Sequence, residues 1–189
     1  MSFGLSELTA LRPTRADARR NYDALIAAGR ETFAELGNTA PLEEIARRAG
    51  VGIGTLYRNF PTRETLIERI YVEEVEAVTK AADEFAADED PWRALTGWLR
   101  RFVDYVGTKR ALIEGMNRDT ATFKICRAEL NVAGEPLLRR AQEAGQVRTD
   151  IEFDDVLRLV TGITAVGFTS DEQRDHVLGI AIDGIRSRP

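Results

Sequence analysis

Apolar side chains recur every three or four residues along most of the chain, which is the period of an amphipathic α-helix. The clearest early run places Tyr22, Leu25, Ile26, Phe33 and Leu36 on one helical face. No segment shows the sustained alternation of apolar and polar residues that indicates a β-strand. The pattern therefore predicts an all-α fold.

Capping and breaking residues divide the chain into helices of very different length. Thr14 and Asp17 resemble a capping box that begins the first helix, Gly37 ends it, and Thr62 is placed to cap a long connecting helix. Gly134 and Pro136 are expected to disturb a late helix. The helices are predicted over 14–37, 42–49, 53–59, 63–82, 91–106, 111–116, 119–144, 153–166 and 171–187.

This layout predicts a three-helix head at 1–63 and a body of roughly six helices at 64–189, joined by the long helix that begins near 63. Nine basic and seven acidic residues give the head a net charge of +2, whereas the body carries −7. Because exposed charges are screened beyond about 8–10 Å, the mildly basic head can meet DNA although the chain as a whole carries −5.

The stretch 40–60 has the pattern of a helix-turn-helix, in which two short helices are joined by a tight turn. Gly50 permits the positive φ that such a turn needs, and Ala49 is small enough for the two helices to cross closely. The apolar residues expected to hold the helices together are Ile45, Ala46, Val51, Leu56 and Phe60.

The second of these helices leaves polar side chains free to face outward. Thr55 and Tyr57 carry hydroxyl groups of a kind that contacts phosphates, while Arg58 and Asn59 suit phosphates or base edges. Arg63 follows at a place from which it can reach a flanking phosphate. Glycines at the helix start allow the DNA to approach closely. The predicted DNA-binding residues are Gly52, Ile53, Gly54, Thr55, Tyr57, Arg58, Asn59 and Arg63.

Several motifs carry a wider pattern, namely 25–37, Ile45-Ala-Arg-Arg-Ala-Gly-Val51, Gly54-Thr-Leu-Tyr-Arg-Asn-Phe60 and Arg63-Glu-Thr-Leu66. With them, residues from about 20 to 71 resemble the DNA-binding domain of the TetR family of bacterial repressors. The resemblance implies a nine-helix fold, a homodimer and a pocket for a small effector in the body. It also implies phosphate contacts from Thr55, Tyr57 and Arg63, and a base-reading face formed by Ile53, Gly54, Arg58 and Asn59.

The chain departs from the pattern of that family in three places. Gly52 stands where the family often has a hydroxyl residue, so a contact from that side chain is absent. Ala40 and Pro41 replace threonines, which leaves Thr39 as the expected capping residue. Arg63 replaces the usual lysine and keeps its charge. The motif by itself also leaves open a helical hairpin that packs within the core and touches no DNA.

Aromatic residues in the body suggest an effector pocket, because such pockets are mostly apolar with a few polar groups. Aromatic residues at helical spacing also occur as plain core, so both interpretations stay open. The predicted ligand-binding residues are Trp98, Phe102, Tyr105, Met116, Phe123 and Cys126.

The last two predicted helices are apolar over more than one side, and a partner subunit would bury the excess. Burial of both faces within one chain is the alternative. The predicted dimer-interface residues are Val156, Val160, Ile163, Val177, Ala181 and Ile185.

These features predict a ligand-responsive transcriptional regulator that binds double-stranded DNA as a homodimer, with repression as the favoured output and activation left open as the alternative. An enzyme is disfavoured because no cluster of catalytic residues or phosphate-cradling glycine loop is present. A helical adaptor that binds a protein partner is the other alternative.

Composition sets the remaining expectations. Cys126 is the single cysteine, which excludes an internal disulfide and fits a reducing compartment. No apolar run is long enough to span a bilayer, and the N-terminus lacks the pattern of a signal peptide. We therefore expect a cytoplasmic protein without a metal or a cofactor, apart from a small effector of unknown identity.

Overall fold

The structure is a computed structural model that describes residues 4–113, 120–164 and 168–187. These residues form nine α-helices and no β-strand, apart from an isolated bridge between Val147 and Arg186. The predicted all-α fold is therefore confirmed. The helices are α1 (Leu5–Thr9), α2 (Ala16–Leu36), α3 (Leu42–Arg48), α4 (Ile53–Asn59), α5 (Arg63–Ala86), α6 (Pro91–Ile113), α7 (Ala121–Glu143), α8 (Phe153–Thr164) and α9 (Asp171–Gly184).

The chain divides into two compact units. The first unit holds the described residues of 1–76 and 108–126, and the second holds those of 77–107 and 127–189. The division falls inside α5, so the first unit includes the predicted head and the beginning of this helix. The functional boundary at 63 stays a prediction.

The core of the first unit forms where α2, α3 and α4 pack together with the start of α5. Phe33, Ile45, Leu56 and Phe60 are completely buried there. Gly29 allows α2 to lie close to α5, since a Cβ atom at this position would be only 2.8 Å from Ile70 Cδ1. The core is thus built from the apolar periods that the sequence shows.

Two of the predicted helix ends in the first unit are confirmed. Gly37 ends α2 with a φ of +76°, and its amide donates to the Phe33 carbonyl at 3.0 Å. Thr62 caps α5, because its hydroxyl oxygen accepts the Thr65 amide at 3.1 Å.

The predicted N-cap of α2 is wrong by one residue. The N-cap is Arg15, and Thr14 lies one residue before it. Asp17, the other member of the predicted capping box, instead forms an ion pair with Arg20 one turn later. The five-residue helix α1 was not predicted, because a single turn is too short to show a helical period.

The core of the second unit is centred on Trp98, which is fully buried. Its ring stacks on Phe102 at 5.6 Å and tilts against Phe153 at 5.5 Å, and its indole N–H donates to the Val78 carbonyl at 3.0 Å. Gly134 makes room for this cluster, since a Cβ atom there would collide with the Phe153 ring.

Several predicted helix limits in the second half need correction. Gly134 and Pro136 do not interrupt α7, which continues to Glu143. The piece predicted at 111–116 belongs to α6 as far as Ile113, and 114–119 lie outside the described residues. Helix α9 ends at Gly184 rather than 187, and the Ser187 amide donates to the Gln146 carbonyl at 3.1 Å instead of to the Asp183 carbonyl one turn back.

Candidate nucleic-acid interface

Helices α3 and α4 form the predicted helix-turn-helix. Gly50 makes the turn with a φ of +69°, as its sequence position indicated. After the turn, the Val51 amide donates to the Ala46 carbonyl at 3.0 Å, which ties the turn to α3. Ile45 of α3 and Leu56 of α4 are both completely buried, so the two helices are anchored by their apolar residues.

The opposite face of α4 is open to solvent. Tyr57 is 47% exposed and Ile53 is 37% exposed, and Arg58 is exposed beside them. Thr55 and Asn59 are half-buried at the edge of this face. The structure therefore brings the predicted DNA-binding residues of 52–59 together on one short helix.

The polar side chains of α4 bond to their own helix. Arg58 donates from Nε to the Gly54 carbonyl at 3.2 Å and from Nη2 to Thr55 Oγ1 at 3.0 Å. Asn59 donates from Nδ2 to the Thr55 carbonyl at 2.8 Å. Because these bonds are exposed or only partly buried, a DNA base or phosphate could replace them at small cost.

Two glycines leave the start of α4 bare. At Gly52 and Gly54, apart from the adjacent residues and the backbone of α4 itself, no atom lies within 4 Å of the place where a Cβ would stand, and neither glycine has a positive φ. Neither crowding nor backbone conformation within the chain therefore requires glycine there. Glycine inside a helix lowers stability relative to alanine by about 0.5–1 kcal/mol. Gly52 is the N-cap of α4, a position where glycine is common, whereas close approach of an external molecule would account for Gly54 inside the helix.

Arg63, at the first turn of α5, faces the chain rather than the solvent. Its Nη1 atom donates to the Asn38 carbonyl at 2.9 Å and to the Ala40 carbonyl at 2.6 Å. Its guanidinium lies over the Phe33 ring at 5.9 Å from the centroid. Sequence reasoning missed these partners, because main-chain carbonyls carry no signal in the sequence.

A cavity of about 360 Å³ opens beside Arg63, and its lining residues are Asn38, Thr39, Arg63, Glu64 and Ile67.

Thr39 does not cap α3 as predicted: the N-cap of α3 is Pro41, which makes no side-chain hydrogen bond to the helix.

The basic residues of α3 are engaged by acidic neighbours. Glu44 accepts Arg47 at 2.7 Å and Arg48 at 2.8 Å, and Arg48 also pairs with Glu35 at 2.8 Å. These hydrogen bonds lower the pKa of Glu44 to about 2. The positive charge of α3 is thus balanced within the helix-turn-helix, and α4 carries the outward basic group.

Comparison with known proteins decides what this helix-turn-helix belongs to. Residues 25–70 match the model of the tetR family of bacterial regulatory proteins. Residues 90–187 match the model of the C-terminal domain of SbtR-like transcriptional regulators. The chain belongs to the TetR family. It is accordingly a transcriptional regulator with a helix-turn-helix, which confirms the resemblance seen in the sequence.

Solved TetR regulators share the fold along most of the chain. The regulator SCO0520 from Streptomyces coelicolor is 36% identical, with a TM-score of 0.70 over 89% of this chain and 99% of that one. A TetR regulator from Mycobacterium vanbaalenii is 31% identical, with a TM-score of 0.71 over 92% and 99%.

A curated relative matches over a shorter stretch. The HTH-type transcriptional regulator SAR0097 of Staphylococcus aureus (strain MRSA252) is 30% identical over 115 residues. The match covers 59% of this chain and 57% of that relative, so this chain spans little more than half the relative's length.

The residues predicted to bind an effector fall into both units of this TetR protein. Trp98, Phe102 and Tyr105 belong to the second unit, where they are buried and contact one another through their rings. Phe123 and Cys126 belong to the first, and Phe123 stacks on Tyr71 at 5.6 Å. Met116 lies outside the described residues. The contacts of Trp98 and Phe102 are those of core residues, and the ligand site stays a prediction.

Three of the residues predicted at the dimer interface are core residues of a single chain. Val156 and Val160 are each 1% exposed, and Ile185 is 5% exposed. The apolar stripe of α8 therefore packs within its own unit, and the dimer interface stays a prediction. Ile163, Val177 and Ala181 are half-buried. Ile180, an apolar residue of the last predicted helix, is exposed, and so is Leu159, which sequence reasoning missed because it lies off the main apolar stripe of α8.

Other kinds of site find little support in the part of the chain that the structure describes. No group of three or more His, Cys, Asp or Glu side chains among these residues could hold a metal ion. Within the same residues, no helix is both long and apolar enough to cross a bilayer.

Proposed function

We propose that this TetR-family regulator binds a pseudo-palindromic DNA operator as a homodimer and represses transcription until a small effector releases it. The observation that carries DNA binding is the division of α4 into a buried anchor and an exposed face. Leu56 fixes the helix from inside, whereas Tyr57 and Arg58 on the same turn are exposed. A recognition helix needs both properties, because it must be rigid and must present side chains to the major groove.

The face of α4 offers three kinds of contact. The hydroxyl groups of Thr55 and Tyr57 suit phosphate oxygens, and Arg58 suits a phosphate or a guanine edge. Ile53 offers an apolar surface of the kind that contacts the methyl group of thymine. The bare glycines let these groups come near the DNA.

Selection of bound fragments from a random pool of duplexes tests this proposal. We expect recovery of an inverted repeat whose half-sites are about one helical turn, ~34–36 Å, or a multiple of it, apart. Tyr57→Ala should weaken binding of the selected duplex about tenfold. Arg139→Ala, which removes an exposed arginine of the second unit, is the matched control and should change nothing. Failure to select any sequence, with no binding to mixed duplex at low salt, would refute DNA binding.

The homodimer is proposed from the apolar surface of α8 and α9. Leu159 is 41% exposed and Ile180 is 60% exposed, on two helices that pack against each other. A second copy of the chain would bury them through a symmetric contact. Leu159→Glu together with Ile180→Glu should yield a monomer in sedimentation equilibrium. Arg139→Glu, at an exposed position of α7, is the control, and this variant should remain a dimer.

The small effector is proposed because two proteins of similar fold were solved with small molecules bound. RolR, 21% identical, was solved in complex with resorcinol, and FadR from Bacillus subtilis, 15% identical, with stearoyl-CoA. An effector lowers DNA affinity by as much as it prefers the DNA-free conformation. Resorcinol and stearoyl-CoA are therefore useful first probes, and a ligand that raises the melting temperature should also release the selected duplex.

A further inference from the structure

The segment that joins α2 to α3 is held from one side by Arg63. Its Nη1 atom donates to two carbonyls of this segment, those of Asn38 and Ala40, at 2.9 and 2.6 Å. The Phe33 ring supports the guanidinium from below. A planar arginine donor between two carbonyls and an aromatic ring is a fixed arrangement, in contrast to a mobile surface side chain.

This connection determines where α3 begins. After Gly37, the Ala40 amide donates back to the Gly37 carbonyl at 3.2 Å, and Ala40 itself is 2% exposed. Pro41 is the N-cap of α3, and no side chain caps the helix. No side chain of the cap therefore helps to fix this start, and two partly buried hydrogen bonds from the Arg63 side chain hold the connection.

We propose that Arg63 is a positioning residue of the helix-turn-helix. Its Nη1 atom holds the connection 38–40, thereby fixing α3 and the recognition helix α4 that packs on it, and this positioning, rather than a phosphate contact, is its main contribution to DNA binding. The inference rests on the proposed DNA binding. It replaces the phosphate contact that the resemblance to the family implies for this position.

The two roles of Arg63 predict different behaviour on DNA. Loss of a phosphate contact weakens binding to all sequences about equally and lowers the salt slope by about one. Loss of positioning instead weakens the selected duplex most, because binding to mixed sequence depends on phosphates and needs little precision. The slope then stays unchanged.

The experiment compares Arg63→Ala and Arg63→Lys with the unaltered protein. Binding is measured over a salt series to the duplex recovered by selection and to a mixed-sequence duplex, at a temperature where circular dichroism shows full folding. We expect Arg63→Ala to bind the selected duplex roughly tenfold more weakly, with little change on mixed sequence. Arg63→Lys should recover only part of the loss, because an ammonium group does not stack on the Phe33 ring as the guanidinium does.

Arg58→Ala provides the matched control. It removes an arginine that is exposed on α4 and should lower the salt slope by about one. A lower slope for Arg63→Ala, with equal losses on both duplexes, would overturn the proposal.

Amide hydrogen exchange separates this inference from the proposed function. In the free protein, Arg63→Ala should speed the exchange of Ala40 and of the first turn of α3, including Ile45, whose amide donates to the Pro41 carbonyl. Arg63→Met, which keeps the apolar stem, repeats the measurement if alanine prevents folding. Unchanged exchange overturns the inference even if DNA binds. Faster exchange without any DNA binding supports the positioning role and refutes the DNA function alone.

Discussion

Helix α4 buries Leu56 alone among its seven residues, whereas α8 buries five of its twelve: Phe153, Val156, Leu157, Val160 and Thr164. Most of α4 therefore contributes nothing to the core that holds it. Exposed side chains on a firmly anchored helix are available to bind another molecule. In α8 the residues at apolar spacing pack in the core, so an exposed apolar residue such as Leu159 is not apparent from the periodicity.

The sharpest test of this contrast compares two adjacent residues of α4. Leu56→Ala removes a fully buried side chain and should lower the free energy of unfolding by about 2–5 kcal/mol. Tyr57→Ala removes an exposed one and should change it by no more than about 0.5 kcal/mol. Chemical denaturation measures both. Equal losses for the two variants would mean that α4 is not divided into an anchor and a free face.

The second unit should react strongly to a single methyl group. Gly134→Ala adds a Cβ atom that would collide with the Phe153 ring, so the ring or α7 must move. Overpacking of this kind costs about 1–3 kcal/mol, which exceeds the gain of up to ~1 kcal/mol from alanine in a helix. The melting temperature should fall. Gly184→Ala, at an open position near the end of α9, is the control and should not lower it.

The contrast between α4 and α8 also shows which features of the fold can be predicted from the sequence. The apolar spacing and the glycine of the turn were sufficient for α3 and α4, because Gly50 and Leu56 act through local chemistry. The burial of Val156 and Val160 could not be assigned, since one apolar stripe can face either its own chain or a partner. The sequence favours Gly134 as a helix breaker, whereas its actual role is to leave space for the Phe153 ring. This role cannot be predicted, because Phe153 is distant in the sequence.

Main-chain partners were equally invisible to the sequence. Arg63 was expected to reach a phosphate, whereas its Nη1 atom donates to the carbonyls of Asn38 and Ala40. A carbonyl is present at every position, so only the three-dimensional structure shows which ones a side chain meets. Recognition of the family carried the prediction of function further than periodicity could.

The bare start of α4 offers a test in which stability and binding change in opposite directions. Gly54→Ala meets no atom of another residue within 4 Å and should raise the free energy of unfolding by about 0.5 kcal/mol. Its methyl group occupies space that we expect the DNA to need, so affinity for the selected duplex should fall about tenfold.

Gly50→Ala is the contrasting variant, because a φ of +69° strains any residue with a Cβ atom. It should lower stability where Gly54→Ala raises it. Thermal melts and titration of the duplex measure the two properties. Unchanged DNA affinity in a more stable Gly54→Ala protein would show that the start of α4 is bare for some other reason.

The smallest effect we expect comes from Glu44, which lies on the exposed side of α3. Its pKa is about 2 in the folded protein, because Arg47 and Arg48 hydrogen-bond to the carboxylate, against 4.5 ordinarily. A lowered pKa contributes stability that is present above pH 4.5 and is lost as the pH falls toward 2. The melting temperature of Glu44→Gln should therefore lie slightly below that of the unaltered protein at pH 6, and the difference should shrink between pH 4.5 and pH 2. Added salt should shrink it too, because the groups are exposed. A difference that grows on acidification would mean that the arginines do not stabilise the charged carboxylate.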